Sequence, residues 1–270
     1  MSYIRPRVIL IALVAGISLV GWACQSSRSI VPASQVPASS PAAAPVNEPI
    51  KAAGESVKQP VDSVPKAPPS IVLPPQPSSH RLKVLPVPFT VQAPYADWSL
   101  PYQEACEEAS MVMAGEYFKG NKTLRLEPAY ANQEILKLVE WQKENRGFYE
   151  DTTAAEVASI LKDYYGLVAR VEPYDPEVIK LSVASGQLVL VPAAGRLLGN
   201  PYFRRPGPLY HMLVIKGYDG DEFITNDPGT KRGESFRYQE SALARAVHDW
   251  NGGDVEHGGQ VMVIVSKSKE

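Results

Sequence analysis

Cys106 and His211 are the two side chains in this 270-residue sequence whose types and settings best suit nucleophilic chemistry. Cys106 lies in Tyr102-Gln-Glu-Ala-Cys-Glu-Glu-Ala-Ser110, just after Pro101, where the pattern predicts the start of a helix. A thiol attacks well only as a thiolate, and the partial positive charge at a helix N-terminus helps to stabilise that anion. The competing reading is a buried, inert cysteine acting as a small hydrophobe. Glu107 and Glu108 oppose a thiolate by charge, so a nearby imidazolium would have to outweigh them. Only one other cysteine exists, Cys24, far away beyond a proline-rich stretch. Two such residues build neither a disulfide framework nor a cysteine-based zinc site, which leaves Cys106 a free thiol.

Of the four histidines, three have plain explanations. His80 sits in the proline-rich stretch, His248 beside Asp249 and Trp250 on an expected helix, and His257 in a glycine-rich loop. His211 alone heads an apolar strand, His-Met-Leu-Val-Ile. Downstream, Tyr218-Asp219-Gly220 fits a three-residue hairpin loop with Gly at the left-handed position. Counting outward from it sets Gly217 against Asp221 and His211 against Asp227. Residues directly opposite share a face, so a carboxylate there could accept the imidazole N–H, fix its tautomer and stabilise its charged form. A register error of one residue would bring Asn226 to the ring instead. Asp227-Pro228-Gly229 also reads as an ordinary turn.

The elements that must position these groups are legible in outline. Leu82 to Gln92 reads as an edge strand or extended arm interrupted by Pro86 and Pro88. Helices are expected over Gln103 to Phe118, Ala131 to Glu144 and Thr153 to Tyr165. The third opens on the capping-box pattern Thr153-Ala-Ala-Glu156 and stops at Gly166. Asp175-Pro176 starts a further short helix. Leu188 to Pro192, His211 to Lys216, Glu222 to Asn226 and Val261 to Val265 read as strands, with a helix at about Gln239 to Trp250. Helices first and strands later, without βαβ alternation, indicate an α+β domain.

Three blocks, Val87-Pro-Phe-Thr-Val-Gln92, Cys106 opening a helix, and His211-Met-Leu-Val-Ile-Lys-Gly-Tyr-Asp219 with Ile224-Thr-Asn-Asp227-Pro, resemble the peptidase C-thirty-nine-like family. Its members are papain-like relatives of the peptidases that remove double-glycine leaders from bacteriocins. The resemblance runs from about Val84 to Val265 and implies a papain-like cysteine peptidase fold, its catalytic helix packed on an antiparallel sheet. It also implies Cys106 as nucleophile, His211 as base, Asp227 as third member and Gln92 as oxyanion-hole donor beside the Cys106 amide. Gln103 is the rival for that last role. Glu107 stands where the family commonly has Gly, and Cys106 follows Gln92 by an unusually long fourteen positions. The expected reaction is hydrolysis of an amide bond through an acyl-enzyme, needing no metal or cofactor. Peptidoglycan stem peptides are the alternative substrate, and a non-catalytic binding module on the same scaffold is the alternative to an enzyme.

The rest of the sequence bears on location. Arg5 and Arg7 precede an uncharged, mostly apolar run from Val8 to Ala23, too short for a spanning helix and suited to a signal segment. It ends in Val-Gly-Trp-Ala-Cys24, which leaves three readings: lipidation at Cys24, cleavage after Ala23, or an uncleaved anchor. All place the remainder outside the cytoplasm, tethered to the membrane or secreted. Residues 25–81 hold twelve prolines and no aromatic residue, the composition of an extended spacer, and the folded domain is expected over 82–270. A net charge of -2 gives no sign of a nucleic-acid partner. The loop Gly195 to Tyr210 brings Arg196, Arg204, Arg205, Tyr202 and Phe203 just ahead of His211, either as a cleft wall favouring acidic groups or as a solvated surface loop.

Overall fold

The computed structural model describes residues 81–268. The targeting segment expected at 1–24 and the spacer that follows it to His80 lie outside the described residues. Five helices and an all-antiparallel seven-stranded sheet make up the described part, an α+β architecture. Its strand order is β2 (Val168–Pro173), β7 (Val261–Ser266), β3 (Leu188–Ala194), β4 (Tyr210–Asp219), β5 (Glu222–Asn226) and β6 (Phe236–Gln239), with β1 (Lys83–Val84) on β4.

Strands β3 and β4 are buried along almost their whole length, which explains why Leu188-Val-Leu-Val and His211-Met-Leu-Val-Ile read as unbroken apolar runs. Helix α1 (Cys106–Lys119) is buried nearly all round, as its Ala, Met and Val content requires. It packs on β4, α2 (Pro128–Arg146) and α3 (Ala154–Tyr165). The expected helix from Gln103 divides in two: a single 3-10 turn over Tyr102–Glu104, then α1 proper. That division makes Cys106 the first α-helical residue.

The local signals at the other helices act as their chemistry dictates. Thr153 Oγ1 accepts from the Glu156 amide while Glu156 Oε2 accepts from the Thr153 amide, and Gly166 closes α3 in the left-handed region. Asp175 Oδ1 accepts from the Glu177 and Val178 amides at the head of α4 (Pro176–Ala184). Helix α5 (Glu240–Ala246) is shorter than the expected span to Trp250. Beyond it, the His248 ring bonds the Gly258 carbonyl and the Asp249 amide donates to Gly259 O, so the backbone leaves the helix to pair with the approach to β7.

Strands β2 and β6 are absent from the sequence reading. Both lie at sheet edges with at least half of their residues in solvent, so neither carries the apolar run that marks the central strands. The β4–β5 hairpin also departs from expectation. Asp219 pairs with Glu222, leaving a two-residue loop in which Gly220 has φ +60°, the first-position glycine of a II′ turn. A bulge between Ile215 and Gly217 then shifts the register, so that Val214 opposes Asn226.

Candidate active site

Cys106 is buried at the N-terminus of α1, against the start of β4. Its position in α1 leaves its own amide without an intrahelical acceptor. Gln92 braces the turn before it: the side-chain Nε2 donates to Tyr102 O at 2.9 Å and Gln103 O at 3.1 Å, and the backbone amide donates to Pro228 O. Gln92 thereby links the approach to Cys106 with the turn after Asp227. Gln103 is exposed and donates to Glu104 instead. The Cys106 thiol donates to Glu107 Oε2 at 2.9 Å rather than to the His211 ring. The Met212 amide, next in sequence after His211, lies alongside the sulfur and favours its anion. Burial first, and then the adjacent Glu107 carboxyl, push the thiol well above its usual range.

His211 and Asp227 do meet, though not by direct opposition across the hairpin. Beyond Asn226 the backbone turns at Asp227-Pro-Gly and folds back, with the Asp227 amide donating to Gly233 O. The approach is so close that a Cβ on Gly233 would stand 1.8 Å from the Asp227 carbonyl oxygen. In that turn Asp227 Oδ1 takes His211 Nε2 at 2.8 Å and the Gly229 amide at 2.9 Å. Oδ2 takes the Tyr238 hydroxyl at 2.6 Å and Asn200 Nδ2 at 3.0 Å. Burial alone would raise this carboxyl; His211 and the donors from Tyr238 and Gly229 more than offset it, so its pKa lies below the ordinary value. An ionised carboxylate only accepts, which puts the imidazole proton on Nε2 and leaves Nδ1 as the basic nitrogen. Phe203 closes one side of the ring in an edge-on contact, centroids 5.2 Å apart. Asn226 faces elsewhere, donating to Val87 O and Pro88 O and accepting from the Ser235 amide.

The start of β4 is itself pinned. Tyr210 OH donates to Thr152 O at 2.9 Å and to Asp249 Oδ1 at 3.2 Å, and the same carboxylate accepts the Ala154 amide at the head of α3.

The helix side of Cys106 holds a pair of buried acids, Glu107 and Glu108. Glu108 Oε1 accepts from Gln142 Nε2, while Glu108 Oε2 and Glu107 Oε1 have no partner among the described residues. Leaving a buried polar atom unpaired costs about 1–3 kcal/mol. Burying an unpaired carboxylate charge costs far more, so such groups take up a proton. Burial accordingly pushes Glu108 up to about 8, and burial with the charge of Glu108 raises Glu107 well above its usual value. Both carboxyls that read as opposing charges beside the thiol are thus shifted toward their protonated forms.

Thus the fold gathers Cys106, Gln92, His211 and Asp227 into one region. Tyr238 and Asn200, which hold the far oxygen of Asp227, escape sequence reasoning. Tyr238 lies on the unrecognised edge strand β6, and Gly199-Asn200-Pro201 looks like an ordinary turn.

No curated protein sequence matches this one significantly. A Bacillus anthracis crystal structure described as a C39-like peptidase is 20% identical, with 70% of this chain and 100% of that one covered at a TM-score of 0.44. The peptidase domain of Streptococcus ComA, a bifunctional ABC transporter involved in a quorum-sensing pathway, is 11% identical, with 62% and 93% covered at a TM-score of 0.37. The model of the Peptidase_C39 like family matches residues 84–252, more than half of the sequence and every residue of the site described above. This chain belongs to the Peptidase_C39 like family.

Proposed function

We propose that this protein is a cysteine peptidase that cleaves amide bonds outside the cytoplasm, with Cys106 as nucleophile, His211 as base and Asp227 as the group that orients the ring. One observation carries the reading: His211 spends Nε2 on a buried carboxylate and keeps Nδ1 basic, on the strand against which the cysteine helix packs. The thiol rotates from Glu107 to the ring and passes its proton to Nδ1. The thiolate then attacks the carbonyl carbon of a peptide. Glu107 opposes that anion, while the Met212 amide and the α1 N-terminus favour it. The oxyanion takes the Cys106 amide and one N–H of Gln92, whose other hydrogen keeps the turn carbonyls. Collapse breaks the C–N bond, and the protonated His211 returns its proton to the leaving amine. Water, deprotonated by Nδ1, then hydrolyses the thioester and frees the acid.

Extracytoplasmic action rests on the N-terminal sequence, a signal-like segment followed by a proline-rich spacer. Peptidoglycan stem peptides are the second substrate class for the same chemistry, favoured by that tether. The test is labelling of Cys106 by a thiol-directed electrophile, with and without His211→Ala, together with hydrolysis of a mixed peptide library. Loss of labelling and hydrolysis in the variant is expected. Equal labelling in both proteins, with no hydrolysis by either, would leave a binding module in place of an enzyme.

A further inference from the structure

A cavity of about 750 Å3 opens beside His211, lined by Gly195, Arg196, Gly199, Asn200, Pro201, Phe203, Arg205, Pro206 and Gly207. That volume is in the range of sites that take a small ligand or a few residues of a peptide. Its walls belong to the site already described. Phe203 touches the His211 ring, Asn200 holds Asp227, and a Cβ added to Gly195 would come within 3.2 Å of the His211 Cβ.

The charge in this cavity is unbalanced. Arg196 and Arg205 line it, and no acidic residue does. Neither guanidinium has an ion-pair or hydrogen-bond partner among the described residues, nor does the neighbouring Arg204. Elsewhere Arg125, Arg146, Arg170 and Arg237 each meet a carboxylate, whereas Arg81 and Arg245 have none among the described residues. On the rim, Arg232 lies over the Tyr202 ring at 4.7 Å, with no acid of its own among the described residues. Exposed Leu197, Tyr202 and Leu209 give the same loop an apolar flank. Arg forks bind carboxylates in a bidentate manner, and an unpaired set of them at a cavity mouth raises the local concentration of anions.

We propose that this cavity is a carboxylate subsite, in which Arg196 and Arg205 receive an acidic group of the substrate and hold the scissile bond beside His211. The inference rests on the peptidase reading and names its substrate class. The carboxylate comes either from an acidic residue within the substrate or from the free C-terminus of a peptide.

The experiment measures binding to the full-length Cys106→Ala protein, so that it does not depend on turnover. Three probes are used: acetyl-Ala-Glu-Ala-amide, its Gln counterpart, and acetyl-Ala-Gln-Ala with a free C-terminus. The Glu peptide, the free-acid peptide or both should bind at least about tenfold more tightly than the Gln amide, as loss of charge-assisted hydrogen bonds implies. Whichever binds identifies the source of the carboxylate. Arg196→Gln with Arg205→Gln should remove that preference, and thermal melts report whether the double variant is folded. If it is not, the single variants and the salt dependence of binding answer the same question. Equal binding of all three probes, no binding of any, or an acid preference that survives loss of both arginines would overturn the proposal. Its failure with the wild-type protein still hydrolysing peptides would leave the peptidase reading standing. Acid-selective binding without labelling or hydrolysis would sink the peptidase reading and keep the subsite.

Discussion

Two groups of buried acids flank Cys106, and they differ in everything except burial. On the strand side Asp227 has four donors for two oxygens: an imidazole, a hydroxyl, a side-chain amide and a backbone amide. On the helix side Glu107 and Glu108 share a thiol and one glutamine amide, and an oxygen of each is left bare. The difference shows that burial by itself does not decide ionisation. Donors do: enough of them hold a carboxylate charged in the interior, and too few leave it protonated. One site thus holds an imidazole on a charged partner, while the other sets poorly paired carboxyls of raised pKa beside the thiol.

The contrast is broken most severely at Asp227. Asp227→Ala should lower turnover by about four orders of magnitude, because the ring loses both its tautomer and its orientation. The same change strands buried donors and should cost about 3–5 kcal/mol in denaturant unfolding, more than an isolated surface acid would. Asn226→Ala is the matched control. It should leave turnover within threefold and cost about 1–3 kcal/mol for the acceptors it abandons.

Next comes the pH dependence of stability. With Glu108 near 4.5 when unfolded and about 8 when folded, the folded state keeps a proton that the unfolded state gives up. This contribution is fully present below about 4.5 and is lost as pH rises through about 8. The slope in that window is about 1.4 kcal/mol per pH unit. Thermal melts between pH 5 and 8 should show stability falling with rising pH, and Glu108→Gln should flatten the trend. An unchanged slope in the variant would mean that Glu108 is ionised in the fold.

Tyr238→Phe removes one donor of the four on Asp227 and should lower turnover about tenfold, matching a hydrogen bond to a charged group. An upward shift of the acid limb of the pH–rate profile should accompany it, since the carboxylate loses a stabilising donor.

The smallest effect is expected at Glu107. Burial raises the Glu107 carboxyl well above its usual value, so Glu107→Gln should alter the rate of Cys106 alkylation at pH 7 by less than about threefold. A shift of the alkylation midpoint to lower pH by a unit or more would show instead that a carboxylate charge had been holding the thiol protonated.

How far the sequence can be read depends on how local the cause is. The capping box at Thr153, the Asp175 cap and the buried runs of β3 and β4 were all legible, since their signals lie within a few residues. Edge strands β2 and β6 were not, because their solvent-facing residues leave neither with an apolar run. The pairing of His211 with Asp227 is instructive in another way. Hairpin counting names the residue that meets the ring but misplaces the register, which a two-residue loop and a bulge change. Asp227 reaches the ring through the turn drawn tight against Gly233.

By itself the sequence determined the α+β class, the family, a cysteine at the start of a helix and a histidine near the start of a strand. These follow from residue type, short-range periodicity and spacing. Only the tertiary structure decided which acids are charged. Glu107, Glu108 and Asp227 are all carboxylic acids in the sequence, and the direction in which each is shifted is set by burial and by the donors that distant strands and loops bring to it. The cavity beside His211 is a tertiary result for the same reason: folding sets Arg196 and Arg205 on its wall and lines it with no acid to meet them.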